Sequence, residues 1–204
     1  MLSNSRGPET IKELGAKLGE KVGTTSEAVK YGDIIVLAIP LGKVKDLDSQ
    51  LFEGKIVIDA NNYYPNRDGH IAELDQWKIT STGYTQRILS GARLVKAFNN
   101  VFWWHISPGK QQLPNGHKRA LPIAGDDQEA KKKVGELLRS LGYEVYDYGG
   151  IEESWRQERG KPIYCAPVDV EGAKEFLGEA GREDKWNLSG KRLWKMVEGL
   201  AYLH

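Results

Sequence analysis

Ile34-Ile35-Val36-Leu37-Ala38-Ile39-Pro40 decides the fold class of this 204-residue chain. The run is continuously apolar, rich in Ile and Val, and bracketed by Gly32-Asp33 and Pro40. A strand with one wet face alternates apolar and polar residues. A strand without that alternation is buried on both faces, as the strands of a parallel sheet are. Lys55-Ile56-Val57-Ile58-Asp59 repeats the pattern, and Leu94 to Phe98, Ala120 to Ala124 and Tyr143 to Tyr146 supply further strands. Helical segments stand between them. Pro8 and Glu9 mark a helix start, with Ile11, Leu14 and Leu18 as its apolar stripe and Gly15 and Gly19 limiting its length. Thr25 to Ala28 reads as a cap and short helix, and Lys43 to Phe52 reads as another helix. Gln128 to Leu141 carries Ala130, Val134, Leu137, Leu138 and Leu141 at helical spacing before Gly142. Strand alternating with helix predicts an α/β fold, a doubly wound parallel sheet with right-handed crossovers.

After Tyr148-Gly149-Gly150 the pattern changes. Residues 1–150 read as a dinucleotide-binding unit and 151–204 as a C-terminal helical extension, with helices near Val170 to Ala180 and Leu188 to Leu200. Trp155, Trp186 and Trp194 in that tail suit either a homodimer surface or packing on the chain's own core.

Composition removes several function classes. There are 29 basic and 28 acidic residues, a balance that gives no electrostatic reason to expect nucleic acid or an anionic membrane as partner. The run from Ile34 to Pro40 is far too short to span a bilayer, and the polar start MLSNSRGPET has no secretory apolar region. Cys165 is the sole cysteine, so no internal disulfide forms, and a cytoplasmic setting is expected.

The most informative polar stretch is Ser3-Asn4-Ser5-Arg6, which leads into the helix starting at Pro8. In a dinucleotide-binding unit the second strand ends at the adenosine ribose. An acid there holds the 2′-hydroxyl of NAD, whereas small polar groups and an arginine accommodate the 2′-phosphate of NADP. The same residues also read as a capped helix with a solvent-exposed arginine.

SNSRGPE (3–9), VLAIP (36–40), VIDANNYYPNRDG (57–69), GARLVKAFNN (91–100), RALPIAGDDQEAKKKV (119–134) and ESWRQERGKPIYC (153–165) run in this order. Together they resemble the NADP oxidoreductase family that includes the deazaflavin-coenzyme-dependent NADP reductases, over about Leu2 to Tyr164. The resemblance implies a Rossmann-type fold and NADP(H) as cofactor, with a deazaflavin or flavin as co-substrate. It implies that Ser3, Asn4, Ser5 and Arg6 hold the 2′-phosphate and adenine edge. Ala38, Ile39 and Pro40 would pass under the dinucleotide, Asn61 and Asn62 would end the next strand on the same edge, and Lys96, Ala97, Phe98 and Asn99 would sit by the nicotinamide. For Phe98 a core position is the competing reading. In that family a strand and a G-x-G-x-x-G-type turn precede the SNSR position, about 20 residues earlier. No G-x-G occurs in this chain. The expectation is therefore a Rossmann unit read from an internal start or as a fragment, with its first strand and phosphate loop missing, weak NADP binding and exposed sheet edges.

The remaining candidates have plainer readings. His70, His105, His117 and His204 lack metal-ligand spacing. Asp126-Asp127 reads as a helix N-cap, Lys131 to Lys133 as a solvated face, and Tyr63-Tyr64 as a substrate wall or a cover for the sheet edge. Hydride transfer to a small-molecule acceptor needs orientation more than acid–base groups, so the missing catalytic dyad is compatible with an enzyme. Two rivals remain: a β-hydroxyacid-type dehydrogenase, for which the residues after Gly150 are too few, and a non-catalytic NADP-binding module or inactive truncated homologue.

Overall fold

The computed structural model describes residues 1–182. The β-branched runs become strands. Ile34–Leu37 (β1), Ile56–Asp59 (β2) and Arg93–Lys96 (β3) form a parallel sheet in the order β1-β2-β3, with Val36 opposite Ile58 and Ile58 opposite Val95. Ala120–Ile123 (β4) and Glu144–Asp147 (β5) form a second parallel pair. Instead of one continuous doubly wound sheet, the two sheets meet through a single antiparallel bridge, Lys96 to Ala124. An isolated parallel bridge, Leu2 to Val22, stands apart from both sheets. The architecture is α/β, with parallel sheets in a Rossmann-like arrangement.

The helices are short. Lys12–Leu18 (α1) follows a 3-10 turn at Pro8–Ile11, and Thr25–Tyr31 (α2) follows a capping box between Thr24 and Glu27. Pro65–Asp68 (α3), Ala72–Asp75 (α4) and Ser81–Ile88 (α5) lie between β2 and β3. Gln128–Ser140 (α6) is capped by Asp127, whose side chain accepts from the Ala130 amide. Val170–Gly178 (α7) packs on β4 and β5.

Four further expectations are corrected. β1 is an edge strand that is not buried throughout: Val36 is 54% exposed, while Ile34 on the same face packs against the core. β2, between two neighbours, is buried along its whole length. The stripe of α1 is uncovered, with Leu14 and Leu18 exposed, because the packed face of α1 is the one carrying Gly15. A Cβ at Gly15 would come within 2.4 Å of Val22 Cγ1, so the glycine serves close packing. Lys43 to Phe52 is not one helix. Two 3-10 segments, Leu41–Asp46 and Ser49–Phe52, are separated by extended backbone at Leu47 and Asp48, where the Asp48 carboxylate accepts from the Gln50 amide. Lys131 is buried and ion-pairs with Asp147 at 2.8 Å, so it is no part of a solvated face.

The core forms three clusters, two of them on opposite faces of the β1-β2-β3 sheet and the third joining Ala120, Ile163, Ala173 and Leu177. Val57 and Leu94 face one cluster with Val29, Leu41, Val44 and Phe52. Ile56, Ile58, Val95 and Ala97 face the other, against Val134 and Leu138 of α6. The 3-10 segment Ile151–Gln157 folds back on α5 and β3, and its Trp155 is buried beneath the Arg156 guanidinium, 4.5 Å from the ring centroid. The expected helix Leu188 to Leu200, with Trp186 and Trp194, lies outside the described residues.

Candidate functional site

The carboxyl edges of the strands carry two groups of the expected residues. The outer group lines a groove of about 860 Å³ with Met1 to Ser5 on one wall and Ile34 to Leu37 with Ile39 on the other. Backbone alternation accounts for the groove. Leu2 uses its N–H and C=O toward Lys21 and Gly23, so Met1 and Ser3 turn theirs into the groove. Leu37 turns its C=O to Ala60 on β2, so Val36 turns its own backbone groups to the opposite wall. Ser3 Oγ lies 3.5 Å from Thr25 Oγ1. Asn4 is consumed locally: its Oδ1 accepts from the Arg6 amide and Thr10 hydroxyl, and its Nδ2 donates to Thr10. That Asx turn presents Ser5 and Arg6 outward, both exposed, and Arg6 has no ion-pair partner among the described residues. Ala38 and Pro40 are exposed at the end of β1, and Ile39, between them, is half-buried, its amide donating to Asn61 Oδ1.

The inner group is a buried polar network. Lys96 Nζ, fully buried, lies 3.6 Å from Asp59 Oδ2 and donates to the Asn61 carbonyl. Asp59 Oδ1 accepts from the Asn61 amide. The ends of β1, β2 and β3 are thus tied through Asn61, Asp59 and Lys96. Asn99 Nδ2 donates to Asn62 Oδ1 and to the Gln157 carbonyl at 2.7 Å, and Gln157 Nε2 donates back to Asn99 Oδ1 at 2.6 Å. Phe98 has φ 62°, an uncommon value for a side chain of this size, and its ring packs edge-on to Tyr143 in the core. Ala97 is buried in the same cluster. Asp59 Oδ2, Asn61 Nδ2 and Asn100 Oδ1 are buried without a hydrogen-bond partner.

Sequence reasoning missed the contribution of residues 157–164. Glu158 accepts from the Ser81 amide at 2.6 Å, at the start of α5. Burial pushes its carboxyl above the usual range, against the opposing effect of that hydrogen bond. Tyr64 and Tyr164 join hydroxyl to hydroxyl at 2.7 Å, and the Arg67 and Arg159 guanidinia lie within 4.6 and 4.3 Å of the Tyr64 ring centroid. The string ESWRQERG held the signal, but its partners lie far away in the chain: Ser81 is 77 positions from Glu158. His105 is buried, and burial with Arg119 and Lys110 nearby pulls its pKa down to about 4. Burial raises the Cys165 thiol to about 11, which leaves it un-ionised at neutral pH.

Residues 1–63 match the family described as NADP oxidoreductase coenzyme F420-dependent. The match includes Ser3 to Arg6, all of β1 and β2, and Asn61 and Asn62. The metalloreductase STEAP3 of Rattus norvegicus is 28% identical over 166 residues, covering 80% of this chain. The chain spans 31% of the length of that protein. Among solved structures, protein SMa0349 of Sinorhizobium meliloti superposes with a TM-score of 0.68 at 25% identity, over 81% of each chain. A structure from Arthrobacter sp. FB24, described as an F420-dependent NADP reductase, has a TM-score of 0.51 at 20% identity, over 63% of this chain and 60% of that one. That second likeness shows the fold.

Among the described residues no helix is long and apolar enough to cross a membrane.

Proposed function

We propose that the chain is an NADP(H)-dependent oxidoreductase that passes hydride from NADPH to a deazaflavin- or flavin-like acceptor. The observation that carries this reading is the turn at Asn4, which leaves Ser5 and Arg6 exposed directly after Ser3 and Asn4 on the wall of the 860 Å³ groove. The residues fit the cofactor's 2′-phosphate. Arg6 offers a planar charged fork, Ser3 and Ser5 offer hydroxyls, and no carboxylate from residues 3–6 opposes a phosphate. The family description for residues 1–63 supports the same cofactor.

When bound, NADPH supplies the hydride. The chain's own residues orient the reactants. Ser3 and Ile39 line the groove from opposite walls. Lys96, Asp59 and Asn61 fix the three strand ends relative to one another, and Asn61 holds the amide of Ile39 on the groove wall. Asn99, Asn62 and Gln157 tie the segment after Gly150 to the loops that follow β2 and β3.

The test is NADPH oxidation by the purified chain with riboflavin as acceptor, followed by the loss of reduced-nicotinamide absorbance. Turnover with NADPH that is at least ~10-fold faster than with NADH at equal concentration supports the reading. NADPH binding without turnover on any flavin or deazaflavin favours the non-catalytic binding module instead.

A further inference from the structure

A second cavity lies beside the strand ends. It measures about 180 Å³ and is walled by Tyr63, Leu74 and Trp77, with Glu158 and Arg159 on one side. Tyr63 directly follows the Asn61-Asn62 end of β2, and Glu158 directly follows Gln157, which is bonded to Asn99 after β3. The cavity therefore adjoins, along the chain, Asn62 and Gln157, the two residues that bond to Asn99 after β3. Two aromatic rings suit a flat unsaturated ligand. Trp77 is held there at φ 57°, a conformation that costs energy for a bulky residue. Its ring also carries the Lys161 ammonium, 4.8 Å from the centroid. The one carboxyl anchored to a helix start in this cavity is Glu158.

We propose that this cavity admits the reducible ring edge of the acceptor and that Glu158 is the catalytic acid that protonates it. The proposal rests on the oxidoreductase reading. The hydride adds at one end of the conjugated ring system, the displaced electron pair settles on a ring nitrogen, and that nitrogen takes the Glu158 proton. NADPH becomes NADP⁺, the acceptor is reduced by two electrons, and water reprotonates Glu158. The Ser81 amide at the start of α5 supports the carboxylate left behind. Burial pushes the Glu158 carboxyl above the usual glutamate range, the direction that favours a proton donor. The groups facing it are Lys96 of β3, Lys161 and Tyr148, with Asp75 and Arg159 on the cavity wall.

Riboflavin is the probe. With the full chain and saturating NADP⁺, riboflavin quenches tryptophan fluorescence, and Trp77→Phe removes a distinct part of that quenching. Leu74→Phe, which fills the cavity, weakens riboflavin binding at least ~10-fold while NADPH binding is unchanged. Glu158→Gln lowers kcat by ~100-fold or more with riboflavin affinity within twofold of wild type. Wild-type kcat falls as pH rises through the Glu158 pKa, the Gln variant loses that limb, and Glu158→Asp restores part of it. Quenching and affinity insensitive to both cavity variants overturn the site. A Glu158→Gln rate within twofold of wild type overturns the acid. Cavity-dependent riboflavin binding with no NADPH oxidation overturns the oxidoreductase reading and supports the ligand site.

Discussion

Lys96→Met tests how the strand ends are held together. Lys96 and Asp59 are both fully buried, with Nζ 3.6 Å from Oδ2. Removing the ammonium leaves a carboxylate without compensation in the interior, which costs about 3–5 kcal/mol. That is a large part of the 5–15 kcal/mol typical of a domain. The Asn61 carbonyl also loses its Lys96 donor. Replacing both partners, Lys96→Met with Asp59→Leu, removes the buried charge altogether. The Asn61 amide then lacks the Asp59 Oδ1 acceptor, at about 1–3 kcal/mol. The double variant is therefore expected to be at least ~1 kcal/mol more stable than Lys96→Met alone. Urea unfolding followed by far-UV circular dichroism measures all four corners of the cycle. A cost below ~1 kcal/mol for Lys96→Met, or strictly additive effects, would refute the view of Lys96 and Asp59 as a coupled buried pair.

Two further outcomes follow from burial. His105 has a folded pKa near 4, against about 6.5 in an unfolded chain. The unfolded chain takes up the proton first, so stability is full above pH ~6.5 and falls by up to about 3 kcal/mol as pH drops to 4. His105→Gln should lose that slope, and an unchanged slope in thermal melts across this range would contradict it. Val36 turns its amide into the groove, whereas Ile58 sits on the central strand. Native-state hydrogen exchange should find the Val36 amide at least ~100-fold faster than that of Ile58, and equal protection would show that the β1 edge is covered in solution.

The strands were legible because continuous Ile and Val runs leave few alternatives to a buried parallel strand. Burial at their edges was not. Nothing in IIVLAIP tells whether Val36 has a neighbour on one side or two, since that depends on the path of residues 1–5. The stripe of α1 reads as core by periodicity, yet Gly15 offers the closer approach to Val22 and takes the packed face. Lys43 to Phe52 satisfies a helical spacing that Asp48 breaks by capping its own turn. Lys131 reads as exposed because its partner, Asp147, belongs to another element. At the site, Ser3 to Arg6 were visible as a polar turn before a helix. The network of Asn99, Gln157 and Glu158 was not, because its contacts join residues 58 and 77 positions apart.

Cofactor choice is expected to turn on recognition of a 2′-phosphate by Arg6 and its neighbouring hydroxyls. Isothermal titration of the purified chain with NADPH and with NADH, repeated on Arg6→Ala, tests this most directly. The expected result is NADPH binding at least ~10-fold tighter than NADH, about 1.4 kcal/mol, with the preference abolished in Arg6→Ala and NADH affinity unchanged. Equal affinity for the two cofactors in the wild type, or a preference that survives Arg6→Ala, would contradict it.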